Sequence, residues 1–191
     1  MKKQMHFALA VSAFVSLSIL NFAATTNATT LERMSLERMT QLTKTIARVR
    51  CVSNATIWDS GEIWTVTTFD VQQNWRGTLP SQIAVRLLGG TLGGITSTVS
   101  GVPHFSPGQE AVLFLERTPS GDFSVVSWQQ GVFRIRSNNR RGGESVTQDT
   151  ASFATLDPRT QRMQTVGTSR MRLSDFRVEV EAAIAAAGGK P

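Results

Sequence analysis

The apolar positions of this chain repeat with two different periods. In residues 31–44 they fall close to helical spacing, which predicts a short amphipathic helix. From Thr45 onward the period changes to two. Ala47, Val49 and Cys51 alternate with arginine residues, which predicts a half-buried strand with the Cys51 thiol facing inward.

Further apolar segments follow, and turn residues separate them. Asp59-Ser60-Gly61 and the segment 118–122 (TPSGD) have the composition of tight turns. The run 111–115 (AVLFL) is apolar at every position, which is typical of a central strand that is buried on both faces. These patterns predict strands at 63–71, 83–87, 111–115, 123–128 and 132–136. Short strands at this spacing indicate a mainly β fold, either a small antiparallel barrel or a sandwich.

The last third of the chain has a different composition. Residues 137–170 are polar with few apolar anchors, which predicts a flexible linker or an edge segment of the sheet. Residues 171–191 are predicted to form a C-terminal amphipathic helix with Ser174 as its N-cap. The buried face of this helix is predicted to carry Phe176, Val180 and Ile184.

The start of the chain has the pattern of a secretory signal peptide over residues 1–28. Lys2 and Lys3 precede an uncharged, mostly apolar run at 7–20, which is shorter than the roughly 20 residues of a membrane-spanning helix. Small residues then favour cleavage after Ala28, and an uncleaved N-terminal anchor is the alternative. We therefore expect a secreted or periplasmic protein with no membrane span after signal removal.

Composition and charge narrow the chemistry of the remaining chain. Residues 29–136 are long enough for one domain, a helix plus a β-barrel. Signal removal takes two of the 20 basic residues and none of the 14 acidic ones, which leaves a net charge of +4. That excess over the remaining chain is not a nucleic-acid signature. One cysteine and one remaining histidine exclude disulfides and a Cys/His zinc cluster, so we predict no metal and no cofactor.

The sequence singles out no catalytic residue. Cys51 and His104 are the one possible thiol–imidazole pair, and Cys51 lies in the middle of a predicted strand. The chain has no Gly-x-Ser-x-Gly elbow and no Ser-x-x-Lys motif. A pair of carboxylates that meet in space stays open, because the pattern selects no pair among the acidic residues.

A few surfaces are candidates for binding. In the loop 101–110, Val102 is followed by a proline and then by His104 and Phe105, and a second proline stands at 107. An aromatic residue that is anchored on a loop is a common contact residue. The alternative is that Phe105 plugs the end of the barrel while His104 is solvated. Four Trp residues could form a stacking platform, and Trp64 alternates away from the buried face of its strand.

A glycine-rich segment precedes this loop. It lacks the Lys-Ser/Thr end of a phosphate-binding loop, so its glycines are expected to permit positive φ angles or a bulge. Together with the loop at 102–105, it is predicted to form the contact surface. The glycines concerned are Gly89, Gly90, Gly93 and Gly94.

Residues 36–136 resemble an uncharacterised family of exported bacterial proteins. The matching segments include Phe69-Asp70-Val71 with Trp75-Arg76-Gly77, then 99–105 (VSGVPHF), 108–115 (GQEAVLFL) and 130–135 (QGVFRI). The resemblance implies an export signal and a compact β-barrel. The layout that it implies is similar to the OB-like barrel of netrin modules and tissue inhibitors of metalloproteinases. Those inhibitors chelate zinc through a cysteine at the mature N-terminus, whereas Cys51 is internal here.

Together these observations favour an exported, non-enzymatic binding module. It would recognise a protein or envelope partner through its Gly- and Pro-rich loops. An accessory or inhibitor of a secreted metalloprotease is the alternative, and a hydrolase is a third hypothesis.

Overall fold

A computed structural model of the chain describes residues 31–138, 143–148, 155–164 and 170–188. The predicted signal peptide, 1–28, lies outside the described residues. The helices are α1 (Leu36–Leu42), a 3-10 turn (Trp128–Gly131) and α2 (Leu173–Ala186). The strands are β1 (Leu31–Glu32), β2 (Thr45–Asp59), β3 (Glu62–Arg76), β4 (Gln82–Leu88), β5 (Gly90–Leu92), β6 (Ile95–Ser97), β7 (Glu110–Arg117), β8 (Phe123–Val125), β9 (Val132–Asn138), β10 (Gly143–Gln148), β11 (Thr155–Asp157), β12 (Arg162–Gln164) and β13 (Met171–Arg172).

Five strands form a partly closed ring in the order β7-β2-β3-β4-β8. β2, β3 and β4 are successive antiparallel neighbours, and β7 pairs with both β2 and β8. The ring closes through a parallel contact of β4 with β8 at a single residue pair, Val85 and Phe123. A three-stranded meander closed by one parallel contact is the topology of an OB-like barrel. The predicted mainly β, OB-like fold class is therefore confirmed.

Strand β7 separates two hydrophobic cores. Ala111, Leu113 and Leu115 face the interior of the barrel, whereas Val112 and Phe114 face the opposite side. Beyond β7 the same sheet continues with β9, β10 and β13. Helices α1 and α2 pack on this second face and bury Val112 and Phe114. The prediction of a central strand buried on both faces is confirmed.

Helix α1 is shorter than predicted. Leu31–Glu32 is extended and pairs with β11, so the helix begins at Leu36, where the Ser35 hydroxyl accepts a hydrogen bond from the Arg38 N–H. The buried side chain of Gln130 also binds the backbone of this segment, at Met34 N–H and Glu32 C=O. These backbone groups have partners outside a helix, which explains the late start.

The predicted C-terminal helix is present as α2, which packs on the outer face of the sheet, but its start differs from the prediction. Arg172 occupies the N-cap position with no side-chain capping bond, and Ser174 lies in the first turn, where its hydroxyl donates to Asp175. The prediction of Ser174 as the N-cap is therefore wrong. The predicted inner face is confirmed, since it is buried in the second core: Phe176, Val180 and Ile184.

Part of the polar segment 137–170 belongs to the sheet. Gly143–Gln148 pairs with β9 on one side and with β13 on the other, and its Val146 is buried in the second core. Residues 139–142, 149–154 and 165–169 lie outside the described residues. None of the helices within the described ranges is long and apolar enough to cross a membrane.

Candidate binding cleft

A cleft of about 140 Å³ opens where the ring of strands is least complete. β4 and β8 share a single paired position, and residues of both strands line the opening together with Val102 and Pro103 of the preceding loop. The cleft is therefore a consequence of the incomplete closure. Its lining residues are Trp64, Arg86, Leu87, Leu88, Val102, Pro103, Ser124, Val125 and Trp128.

One wall of the cleft is built by Trp64 and Arg86. Trp64 is half-buried and lies on the outer face of β3, where it pairs with Leu88 of β4. The guanidinium carbon of Arg86 lies 4.8 Å from the centroid of the Trp64 ring. This is the arrangement of a cation–π pair, which orients the indole ring beside the opening.

The charge of Arg86 is compensated by two carboxylates. Its Nη2 lies 2.6 Å from Asp59 Oδ2 and its Nη1 lies 3.6 Å from Asp122 Oδ2. The hydrogen bond from Arg86, followed by one from Ser60, holds the pKa of Asp59 below its ordinary value. The Arg86 Nε is buried and has no hydrogen-bond partner within the described residues. A buried donor without a partner costs about 1–3 kcal/mol.

The opposite wall carries Trp128 in an unusual backbone conformation. Ser127 and Trp128 have φ angles of 52° and 55°, in the left-handed region that bulky residues seldom adopt. Each such residue costs about 1–3 kcal/mol. The predicted strand 123–128 therefore ends early, at Val125, because the chain turns into the 3-10 turn at Trp128.

Two contacts fix this turn. The Gln129 N–H donates to the Gly101 carbonyl oxygen at 3.0 Å, which joins the turn to the loop that borders the cleft. A Cβ atom at Gly131 would lie 2.3 Å from the Val126 carbonyl oxygen, so the chain requires glycine there. The strained conformation at Trp128 is thus held by its surroundings.

The loop residues predicted to bind a partner are divided between core and surface. Val102 and Phe105 are buried, and the Phe105 ring packs edge-on against Phe69 at 4.9 Å. His104 is exposed, and its carbonyl oxygen accepts a hydrogen bond from Arg134. This is the alternative that the sequence left open, in which the Phe105 ring fills the barrel core and His104 is exposed. Binding of a partner by this loop stays a prediction.

The structure brings Trp64 and Val102 together in the cleft but not the other predicted residues. His104, Phe105 and the four glycines are absent from its lining.

Gly93 and Gly94 form the exposed turn of the β5–β6 hairpin, with φ angles of 58° and 82°. Gly89 is held against β3, where its N–H donates to Ile63 and its carbonyl oxygen accepts from Thr65. Gly90 follows at the start of β5, where a Cβ would meet the Thr65 hydroxyl at 2.6 Å.

The other tryptophans are separated from the cleft. Trp75 is buried in the second core, and Trp58 is exposed at the tip of the β2–β3 hairpin, on the face opposite Trp64. Of the four predicted stacking residues, Trp64 and Trp128 are the two that line the cleft. Sequence reasoning missed Arg86, because its partners Trp64, Asp59 and Asp122 meet it only through strand pairing and the β8 contact.

The possible thiol nucleophile is inside the barrel. Cys51 is 1% exposed, and burial raises the pKa of its thiol. A nucleophilic thiolate needs the reverse, a lowered pKa and some access to solvent. His104 lies on the exposed loop.

A network of arginines and glutamates crosses the outer face of the sheet. Arg48 bridges Glu110 and Glu144, with closest N–O distances of 2.6 Å to each, and Arg50 binds the second oxygen of Glu110 at 2.7 Å. Burial raises the pKa of Glu110, but hydrogen bonds from Arg48 and Arg50 outweigh it and hold the pKa below its ordinary value. An ionised carboxylate with both oxygens occupied is suited to joining strands rather than to donating a proton.

The fold and the cleft together define a small, OB-like β-barrel with an aromatic cleft at its incomplete seam. The described residues contain no group of three or more His, Cys, Asp or Glu side chains that could hold a metal ion. No family model, no curated protein and no solved structure matches the chain.

Proposed function

We propose that this protein is an exported, non-enzymatic binding module whose cleft accepts an apolar or aromatic side chain of a protein partner. The observation that carries the proposal is that three local costs occur around one cleft. Strained backbone at Ser127 and Trp128 and an unpartnered donor on Arg86 occur beside the same opening. Strain that a fold retains in this way is concentrated at functional sites.

The size of the cleft supports a side chain as its occupant. Pockets that enclose small molecules and cofactors measure roughly 300–1,000 Å³. This cleft, at about 140 Å³, is smaller and suits one anchoring side chain of a larger partner. Protein interfaces commonly depend on such anchors seated in pockets that tryptophan and arginine residues line.

The lining chemistry favours an uncharged anchor. Trp64, Trp128, Leu88 and Pro103 supply apolar surface. The one cation, Arg86, is already paired with Asp59 and Asp122, so the cleft offers little net attraction to an anionic group. Ile57 lies beside Trp64 on the same face and is 38% exposed, which extends the apolar surface beyond the cleft.

The metalloprotease hypothesis has less support from this geometry. Zinc chelation through a cysteine, as in the tissue inhibitors, needs an accessible thiol, and the thiol of Cys51 is enclosed in the barrel core. The aromatic cleft can accept an apolar anchor from any partner protein, including a protease. The geometry of the cleft therefore favours an apolar anchor on its partner, whatever the class of that partner.

The test is selection of peptides against the immobilised protein from a random displayed library, followed by binding measurements with variants. We expect the selected peptides to share a large aliphatic or aromatic residue. Their affinity should fall about tenfold or more with Trp64→Leu, because truncation of a tryptophan contact commonly costs more than 1.4 kcal/mol.

Trp58→Leu is the matched control, since it makes the same change on the opposite face of the same hairpin. Thermal unfolding of both variants verifies that the barrel remains intact. Peptides that bind both variants equally, or a library that yields no common anchor, would contradict the proposal. Substitution of Phe105 is unsuitable for this purpose, because it removes a core side chain.

A further inference from the structure

Strand β2 has an open edge along half its length. Its pairing with β7 covers Thr45 to Arg50, and backbone bonds between Cys51 and the loop at 108–109 extend this cover by one residue. The strand then continues to Asp59, paired with β3 on its other side. No strand in the described part of the chain pairs with the outer edge of 52–58.

This edge has one feature that limits edge pairing, a β-bulge between Cys51 and Ser53 at its beginning, and its sequence supplies no other. Its sequence is Val-Ser-Asn-Ala-Thr-Ile-Trp, without a charged residue or a proline. Natural sheets protect exposed edges with charges, prolines or very short strands. Three large apolar side chains on this segment are also exposed, namely Val52, Ile57 and Trp58.

From this edge we infer that two copies of the protein associate by antiparallel pairing of their β2 strands, centred on Ala55. A two-fold axis at Ala55 places Val52 of one copy opposite Trp58 of the other, which is a favourable aromatic–aliphatic pair. The remaining opposed positions are neutral, so two basic chains meet here without like charges in contact.

Charge complementarity at the two ends of the segment favours a second copy over other occupants. Arg50 and Asp59 flank the neutral segment and lie on the same face of the sheet, since their partners on β3, Asp70 and Glu62, are an even number of residues apart. Pairing about Ala55 alone would set Arg50 of one copy opposite Ser60 of the other, and the one-residue shift at the bulge between Cys51 and Ser53 brings it beside Asp59. The symmetry repeats this contact. Each side chain already has a partner within its own copy, Glu110 for Arg50 and Arg86 for Asp59, but the two are 52% and 45% exposed, so the new contact would join two existing ion pairs across the interface.

The experiment measures the mass of the full chain in solution by sedimentation over a range of concentrations. We expect a reversible monomer–dimer equilibrium. Ala55→Lys places two like charges at the symmetry axis and should weaken the dimer by about tenfold or more. Gln72→Lys, which adds the same charge at an exposed position of β3, should leave the equilibrium unchanged.

A charge-reversal mixture distinguishes edge pairing from other routes to a dimer. Ala55→Lys and Ala55→Glu are each expected to be mainly monomeric, and an equal mixture of the two should recover the dimer. A wild-type chain that stays monomeric at every concentration would overturn the inference, even if its edge captures an extended peptide. A dimer that Ala55→Lys does not weaken would overturn it as well.

Discussion

Arg86 covers one face of Trp64, with its guanidinium carbon 4.8 Å from the ring centroid. The same guanidinium group reaches Asp59 near the end of β2, so one side chain of β4 ties together β3 and the tip of the hairpin. Because Trp64 is held in this way, its second face and its edge are fixed beside the opening between β4 and β8. Arg86 therefore both stabilises the hairpin tip, through Asp59, and fixes the position of Trp64 at the cleft.

The Arg86–Asp59 pair predicts a specific dependence on pH. The pKa of Asp59 is lower in the folded protein than in the unfolded chain, chiefly because of the hydrogen bond from Arg86. The stabilisation is therefore complete above the unfolded-state pKa and is lost as the pH falls through the folded-state pKa. With Arg86→Gln, we expect a carboxyl NMR titration to show the pKa of Asp59 shifted upward.

Asp175 supplies an internal control in the same titration. Its pKa is lowered by hydrogen bonds from Arg172 and then Ser174, which are independent of Arg86. It should titrate identically in both proteins. An unchanged Asp59 in the Arg86→Gln variant would show that another group lowers its pKa.

The burial of Cys51 predicts that its thiol is unreactive in the folded protein. It is enclosed in the barrel core, and burial raises its pKa. A maleimide reagent should label the native chain slowly and the urea-unfolded chain fast, as followed by intact mass. The chain has one cysteine, so the mass change reports this position alone. Fast labelling under native conditions would show that the core opens at this strand.

The close approach at Gly131 predicts a large penalty for a single methyl group. Gly131→Ala places a Cβ against the Val126 carbonyl oxygen, and the resulting shift should reduce the free energy of unfolding by about 1–3 kcal/mol. Urea denaturation measures the loss. Gly143→Ala is the control, because a Cβ there meets no atom within 4 Å. Equal stability of the two variants would show that the turn accommodates the methyl group without strain.

The docking of α2 on the sheet is tested by two substitutions on the same helix. Phe176 is buried and contacts the rings of Trp75 and Phe133, at centroid distances of 6.0 and 4.4 Å. Phe176→Ala should lower the free energy of unfolding by about 3–5 kcal/mol. Val178→Ala, at a position that is 65% exposed, should change it by less than about 0.5 kcal/mol in denaturant titrations. Similar losses for the two would contradict the observed helix orientation.

Much of the fold could be predicted because the hydrophobic period reports local structure directly. The alternation around Cys51 and the continuous run at 111–115 indicated which side chains lie inside. The inner face of α2 followed from its helical spacing in the same way. The start of each helix was less predictable. It depends on which backbone groups find partners elsewhere, as when Gln130 binds the chain before α1.

The cleft could be predicted only in part. An aromatic residue between prolines gives the same sequence pattern whether it faces solvent or fills a core. Phe105 lies in the core because its ring packs against Phe69, a contact that the local sequence does not show. The left-handed conformation of Trp128 has no local signature, since glycine is the residue expected there. Its cause is tertiary: the close packing at Gly131 and the hydrogen bond of Gln129 to the loop at Gly101.

Strand β7 contributes side chains to both hydrophobic cores, so the stability of each core depends on the same strand. Undocking of the helical layer would expose Val112 and Phe114, and opening of the barrel would expose Leu113, so either motion uncovers one face of the same strand. Hydrogen exchange at Val112, Leu113 and Phe114 should therefore occur only through global unfolding, at a rate set by the total stability of the protein. We therefore expect the barrel and the α2 layer to unfold as one cooperative unit.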